Sequence, residues 1–182
     1  MAAASPLEFA LLGLLRQQPQ SGYDLRKVFA TTPLRHYSDS PGSIYPALRR
    51  LAARRWIASE AESGNGRKRR VFAPTRAGTR ALTDWLRQPI TRDDVIYRAD
   101  ELHLRFAFLD GNVDRHVSIH FLEELERELA GYVHELKDHA RVFVPEARSS
   151  TGYLVFCLGV QGYQQQLAWA RQVRKRFLEA LS

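Results

Sequence analysis

The side chains best able to do chemistry in this sequence are cations grouped in two short segments. The first carries Arg49 and Arg50 in the run GSIYPALRRL, residues 42–51. The second carries four successive cations, Arg67, Lys68, Arg69 and Arg70. Clustered Lys and Arg attract polyanions and gain free energy from the counterions released at phosphates. Both segments therefore indicate a partner that carries phosphate.

The charge of the chain is unevenly distributed along its 182 residues. Residues 1–90 hold 15 Lys and Arg against 6 Asp and Glu, whereas residues 91–182 hold 12 against 14. A basic first half predicts a nucleic acid or an anionic membrane surface as its partner. The second half, which is close to neutral, needs a different role.

An enzyme is disfavoured by the motifs that are missing from the sequence. It has no Gly-rich phosphate-binding motif and no nucleophile elbow, and the single Cys157 lies among apolar residues with no base beside it. One cysteine predicts a reducing compartment. Because no signal peptide or run of about 18 apolar residues is evident, we expect a cytoplasmic protein with no membrane partner.

A metal site is one interpretation of His116 and His120, which lie one helical turn apart with Glu123 and Glu124 nearby. Two imidazoles and a carboxylate suit zinc. Such spacing also arises often by chance on a polar helix, so we predict neither a metal nor a cofactor.

The elements that position the cations can be read from hydrophobic spacing. In the first half we predict three helices, with Ser21 capping the second and Ser40 the third, and a loop over residues 31–39. Two short strands follow at residues 57–62 and 69–73, and Thr75 begins another helix that runs to Leu86. Three helices and a basic hairpin are the order of a winged helix-turn-helix, whose third helix enters the major groove.

The second half reads as helices alone. We predict one helix through Ile96 and Phe106, a second at about residues 114–143, and a third at about residues 153–181. The second carries a heptad stripe that needs a partner helix: Leu122, Leu125, Leu129, Tyr132, Leu136, His139 and Phe143. The predicted fold is mainly α, with a winged helix-turn-helix with a two-stranded wing at residues 1–90 and a helical domain at residues 91–182.

The sequence resembles the PadR family of bacterial transcriptional regulators. The resemblance rests on LLGLL near the start, SGYDL at 21–25, GSIYPALRRL at 42–51, the basic wing and TRAG at 75–78. It implies a homodimer, held by an antiparallel helical dimerisation domain at residues 91–182, that binds near-palindromic operator DNA and commonly represses. Many members release DNA when a small aromatic or drug-like effector binds. The family often has Gly where this chain has Arg55, so we expect a different exit from the third helix.

The resemblance also implies roles for individual residues. The DNA contacts would be Ser43, Tyr45, Pro46, Arg49, Arg50, Arg67, Lys68, Arg69 and Arg70. For Tyr45 the alternative is a ring packed on the second helix. The dimer interface would use Leu122, Leu125, Leu129, Tyr132, Leu136, Leu158, Gly162, Trp169 and Val173. Effector contacts would come from Tyr97, Phe106, Tyr163 and Trp169, although aromatic side chains at helical spacing are also typical of a core.

A second function stays open from the sequence. A winged helix can serve as a protein-interaction adaptor that does not bind a specific operator, since a fold does not determine function. Sequence-specific DNA binding with a steep salt dependence would exclude the adaptor.

Overall fold

The computed structural model describes residues 3–38, 40–62, 69–142 and 149–180, with the backbone alone for residues 60–62 and 69. The chain divides into two compact units, residues 1–86 and 87–182. Elements of the first unit are α1 Pro6–Gln17, β1 Gln20–Ser21, α2 Gly22–Thr31, a 3-10 helix Pro33–His36, α3 Pro41–Ala53, β2 Ile57–Glu62, β3 Arg69–Pro74 and α4 Arg76–Leu86.

Side-chain caps set where the helices of the first unit begin. Ser21 and Asp24 form a capping box at α2, and the Ser40 hydroxyl accepts the Gly42 N–H at 3.1 Å, so both predicted caps are confirmed. Ser5 and Glu8 form another capping box at α1. The predicted loop over residues 31–39 is wrong in part, because α2 extends to Thr31 and a 3-10 helix follows.

The wing belongs to a three-stranded antiparallel sheet with strand order β1-β3-β2. β2 pairs with β3 from Ile57 opposite Pro74 to Glu62 opposite Arg69. The short strand β1 adds Gln20 opposite Phe72 on the other side of β3. The prediction of two strands was therefore incomplete, since a two-residue strand leaves no periodic pattern to detect.

The core of the first unit is formed by α1, the inner face of α3 and the adjoining helices. Ile44, Leu48 and Leu51 are buried, as their spacing predicted. Phe9 stacks on Trp85 with ring centroids 4.4 Å apart. Burial of these apolar side chains fixes which face of α3 is left for solvent or a partner.

The exit from α3 is a tight junction between helix and wing. Arg55 adopts φ +58°, the left-handed conformation for which glycine is the usual residue. The Thr75 hydroxyl donates to the Arg55 carbonyl at 2.7 Å, and Thr75 N–H donates to the Trp56 carbonyl at 2.9 Å. A Cβ on Gly78 would lie 2.0 Å from that Trp56 oxygen, so α4 can pack here only through a glycine.

The second unit is helical, with α5 Arg92–Tyr97, α6 Ala99–Ala107, α7 Arg115–Ala140 and α8 Thr151–Glu179. The prediction of one helix through Ile96 and Phe106 was wrong, because the chain leaves helical geometry at Arg98, with φ −134° and ψ 31°. The Arg98 N–H still donates to the Asp94 carbonyl at 2.9 Å, which ends α5 there.

α7 and α8 pack against each other in antiparallel directions. Glu126 of α7 accepts from Arg171 and Arg174 of α8, each at 3.0 Å, while farther along α7 Tyr132 packs edge to face on Tyr163 with ring centroids 4.8 Å apart. Burial raises the pKa of the Tyr132 phenol, and the nearby Tyr163 raises it further.

Polar contacts hold the first residues of the second unit against its own helices. The Ile90 N–H donates to Glu124 Oε2 at 3.1 Å, and the Arg105 guanidinium donates to the Gln88 carbonyl. Burial lowers the pKa of Arg105. Arg92 forms an ion pair with Glu135 of α7 at 2.5 Å. These contacts anchor residues 88–92 on α6 and α7.

Candidate nucleic-acid interface

A groove of about 1060 Å³ lies between α3, the start of α2 and the sheet. Arg49 from α3 and Arg70 from β3 line it together, and both side chains are exposed. Its other lining includes Tyr23, Tyr45, Ser59 and Phe72. The structure thus brings one predicted cation of the helix and one of the wing onto a single concave surface.

Tyr45 lines the groove and also packs against α2, so its packing on the second helix is observed, while its DNA contact stays a prediction. Its side chain is 41% exposed and lines the groove. Its ring also packs over the start of α2, because a Cβ added at Gly22 would lie 2.7 Å from Tyr45 Cε1. Gly22 therefore leaves the space in which the ring sits, and the phenol stays accessible to a ligand in the groove.

Ser43 and Pro46 are half-buried beside these groove residues. Pro46 lies inside α3 and has no N–H to give to the carbonyl of Gly42. Gly42 is exposed, so water or a phosphate-bound water can satisfy that carbonyl.

Arg50 has a different environment from its neighbour Arg49. Its Nε donates to Glu8 Oε1 at 3.3 Å, and it is not among the residues that line the groove. Glu8 is a buried acid on α1 that the sequence analysis did not identify. The spacing of Ser5 and Glu8 could have revealed the capping box, but not the contact with Arg50.

The wing cations are only partly within the described residues. Arg67 and Lys68 lie outside them, and of Arg69 only the backbone is described, opposite Glu62 in the sheet. Arg70 pairs with Ala61 and directs an exposed side chain to the groove surface. DNA contacts by these four wing cations stay a prediction.

A second cavity, of about 480 Å³, lies within the helical unit. Phe106 and Trp169 line it and meet edge to face with ring centroids 5.2 Å apart. Tyr97 is 78% exposed, and neither it nor Tyr163 belongs to the lining. The structure therefore brings together two of the four aromatic side chains predicted for an effector.

The polarity of this cavity is low. Its polar lining residues are His103, Gln165 and Gln166, and within the described part of the chain no Arg, Lys, Asp or Glu lines it. The remaining lining is apolar or aromatic. Such a site favours a flat, uncharged ligand with a few hydrogen-bonding groups.

The predicted dimer residues divide into two groups. Leu122, Leu125 and Leu129 are buried inside the single chain, and their contact with a second chain stays a prediction. The stripe finds its partner helix in α8 of the same chain, with Tyr132 and Leu136 half-buried beside it.

The other predicted dimer residues lie on α8 and are accessible. Leu158 is 67% exposed, and Gly162, Trp169 and Val173 are exposed or half-buried. Leu154 and Val155 are exposed as well and were missed by the sequence analysis. α8 fully buries only Leu167 and Ala170, so this long helix presents much apolar surface.

Two histidines of α7, His120 and His134, make polar contacts with carboxylates of the same helix. His120 lies 3.8 Å from Glu123 and 3.6 Å from Glu124. Within the described residues no group of three His, Cys, Asp or Glu side chains is arranged to hold a metal ion. None of the helices described here has the length and apolar character needed to cross a bilayer.

Comparison with known proteins identifies the family. Residues 11–84 match the model of the Transcriptional regulator PadR-like family. The Negative transcriptional regulator PadR of Bacillus subtilis (strain 168) is 25% identical in an alignment of 176 residues that covers 92% of this chain and 94% of that protein.

A second relative and one solved structure complete the comparison. The Transcriptional regulator Rv3488 of Mycobacterium tuberculosis (strain ATCC 25618 / H37Rv) is 49% identical over 48 residues, 26% of this chain and 45% of that protein. The crystal structure of Bacillus subtilis PadR in complex with operator DNA aligns with a TM-score of 0.43 and 23% identity, over 94% of this chain and 98% of that one. Over residues 11–84 the chain matches the PadR-like family of transcriptional regulators, whose members are not enzymes.

Proposed function

We propose that this chain is a homodimeric repressor that binds a pseudo-palindromic operator and releases it when a small aromatic effector binds. The observation that carries the proposal is the groove in which Arg49 of α3 and Arg70 of β3 meet. An exposed helix face fits the major groove, while a basic wing beside it fits the neighbouring phosphates.

Arg49 is the side chain proposed to read a base. It is exposed on α3, and a guanidinium can donate two hydrogen bonds to O6 and N7 of guanine. The phenol of Tyr45 and the hydroxyl of Ser43 suit phosphate oxygens, which fix the position of the helix on the duplex.

The dimer is proposed to form through α8. Leu154, Val155 and Leu158 expose apolar surface along one region of this helix, and continuous apolar patches on soluble proteins commonly mark interfaces. A two-fold dimer would present two α3 helices to half-sites about 34–36 Å apart, or a multiple of that distance.

The effector is proposed to occupy the cavity beside Phe106 and Trp169. Because the described lining offers aromatic faces, amides and the imidazole of His103 but no Lys or Arg, the ligand we propose is a neutral planar aromatic compound. Release follows if the ligand prefers a dimer whose two α3 helices have the wrong separation for the operator.

Base reading is tested with purified protein and an operator selected from genomic fragments at about physiological salt. Arg49→Ala should lose about 1–3 kcal/mol of discrimination at one base pair in each half-site. Arg80→Ala, an exposed arginine on α4 that does not line the groove, is the matched control and should bind as the wild type does. Equal affinity and specificity for Arg49→Ala and wild type would refute this role.

Dimer formation is tested by analytical ultracentrifugation. Leu158→Lys should shift the protein to monomers and weaken operator binding, because a charge would be buried at the interface. Val142→Lys alters an equally exposed apolar residue outside α8 and should leave the dimer intact. A Leu158→Lys protein that stays dimeric would exclude this surface.

The effector cavity is tested with 2-naphthamide and 2-naphthoate, which have the same ring system and differ in charge. The amide should quench the fluorescence of Trp169 in a variant that retains Trp169 as its one tryptophan, and Phe106→Ala in that background should weaken the effect. Tighter binding of the carboxylate would contradict a neutral ligand.

A further inference from the structure

A buried carboxylate on α1 reaches the DNA-facing helix. Glu8 is 2% exposed, and its Oε2 accepts the Ser5 N–H at 2.8 Å and the Ser5 hydroxyl at 3.1 Å. Its other oxygen, Oε1, accepts Arg50 Nε at 3.3 Å. One side chain therefore joins the start of α1 to α3, across 42 residues of sequence.

The two carboxylate oxygens of Glu8 have separate partners, and Arg50 is the partner that carries a positive charge. The capping box at the start of α1 uses Oε2. Among the described residues, Arg50 supplies the positive charge that faces Oε1. A buried carboxylate without a cation or donors is strongly unfavourable. The pair is therefore expected to persist when α3 meets DNA.

Arg50 is held at its Nε, while 52% of its side chain remains exposed. It points toward α1, whereas Arg49, the next residue along the chain, lines the groove. The sequence doublet Arg49-Arg50 thus contains one guanidinium that lines the groove and one that is paired with Glu8 at the edge of α1.

We propose that Glu8 is a positioning residue of the DNA interface. It holds Arg50 away from the base edges and cancels its charge, so that Arg49 alone of the doublet reads a base. The proposal rests on the proposed function, in which α3 binds DNA. Its consequence is that Arg50 displaces no counterion from DNA, although it lies on the DNA-facing helix.

The test compares the salt dependence of DNA binding in the wild type and Glu8→Gln. Glutamine keeps the shape of the side chain and removes its charge, which frees the charge of Arg50. The slope of log K against log salt concentration should steepen by about 0.9 for each protomer. Preference for the operator over random duplex should fall several-fold, because the freed cation strengthens binding to any phosphate backbone.

Two further variants separate this role from a purely structural one. Glu8→Gln with Arg50→Gln should restore the wild-type slope, since the freed charge is gone, and Arg50→Gln alone should leave the slope unchanged. A Glu8→Gln protein that melts earlier with an unchanged slope would overturn the proposal. If Glu8→Gln fails to fold, Arg50→Gln alone provides the test. A slope of log K against log salt concentration that is flatter than the wild-type slope by about 0.9 for each protomer would overturn the proposal.

The outcomes also separate this inference from the proposed function. Salt slopes can be measured on random duplex, so the effect of Glu8 is tested even if no operator preference is found. Absence of operator preference in the wild type refutes the proposed function alone. Absence of any DNA binding overturns both.

Discussion

Replacing Arg55 by glycine should stabilise the winged unit. Arg55 has φ +58° at the exit of α3, and its side chain is exposed. A non-glycine residue in the left-handed region costs about 1–2 kcal/mol. Glycine removes this strain, and the hydrogen bond from the Thr75 hydroxyl to the carbonyl of residue 55 is a backbone contact that it retains.

The expected gain is smaller than the relieved strain. Glycine gives the unfolded chain more conformational freedom, which costs about 0.4–1 kcal/mol. The net gain in the free energy of unfolding should then lie between about 0 and 1.6 kcal/mol, with a central value of about 0.8 kcal/mol. For a unit of this size, 1 kcal/mol corresponds to a Tm increase of about 4–8 °C.

The assay is urea unfolding followed by tryptophan fluorescence in a Trp169→Phe background. Only Trp56 and Trp85 then report, and both lie in the first unit. Arg55→Ala is the matched control, because alanine removes the charge and keeps the backbone strain. If glycine is no more stable than alanine, the strain argument at this junction is refuted.

Three further predictions concern the two units separately. Gly78→Ala should destabilise the first unit by about 3 kcal/mol or more, seen in urea unfolding, because its Cβ would meet a backbone oxygen at 2.0 Å. Gly131→Ala should raise the free energy of unfolding by less than the roughly 1 kcal/mol expected for Gly→Ala in a helix, because the new Cβ displaces the Arg92 side chain. Gly159→Ala has open space around the new Cβ and should raise it by the full amount. Burial raises the pKa of Asp94, but hydrogen bonds from Thr91 and Arg98 outweigh burial, and the pKa in the folded protein is lowered. The carboxylate therefore stabilises the folded state fully above the pKa it has in the unfolded chain, and this stabilisation is lost as the pH falls through the lowered pKa. Asp94→Asn should weaken this acid dependence in thermal melts.

Local signals predicted most of the first unit. Ser21, Ser40 and Thr75 begin helices where the sequence indicated, because a cap depends on side chains only two or three residues away. Strand β1 was missed, since it exists only through pairing with β3.

Features that depend on the folded chain were harder to predict. The heptad stripe correctly required a partner helix, but periodicity does not say whether that helix comes from the same chain or another. Similarly, Arg49 and Arg50 are alike in sequence, and only the packing of α1 on α3 shows that Glu8 engages one of them.

Footprinting of the purified protein on its best selected genomic fragment tests the central claim most directly. A homodimeric repressor should give a symmetric footprint with two half-sites about one helical turn apart, or a multiple of it, that persists against competitor DNA at about physiological salt. Diffuse protection that disappears as salt is raised would contradict it, and would favour an adaptor whose basic surface binds DNA without sequence preference.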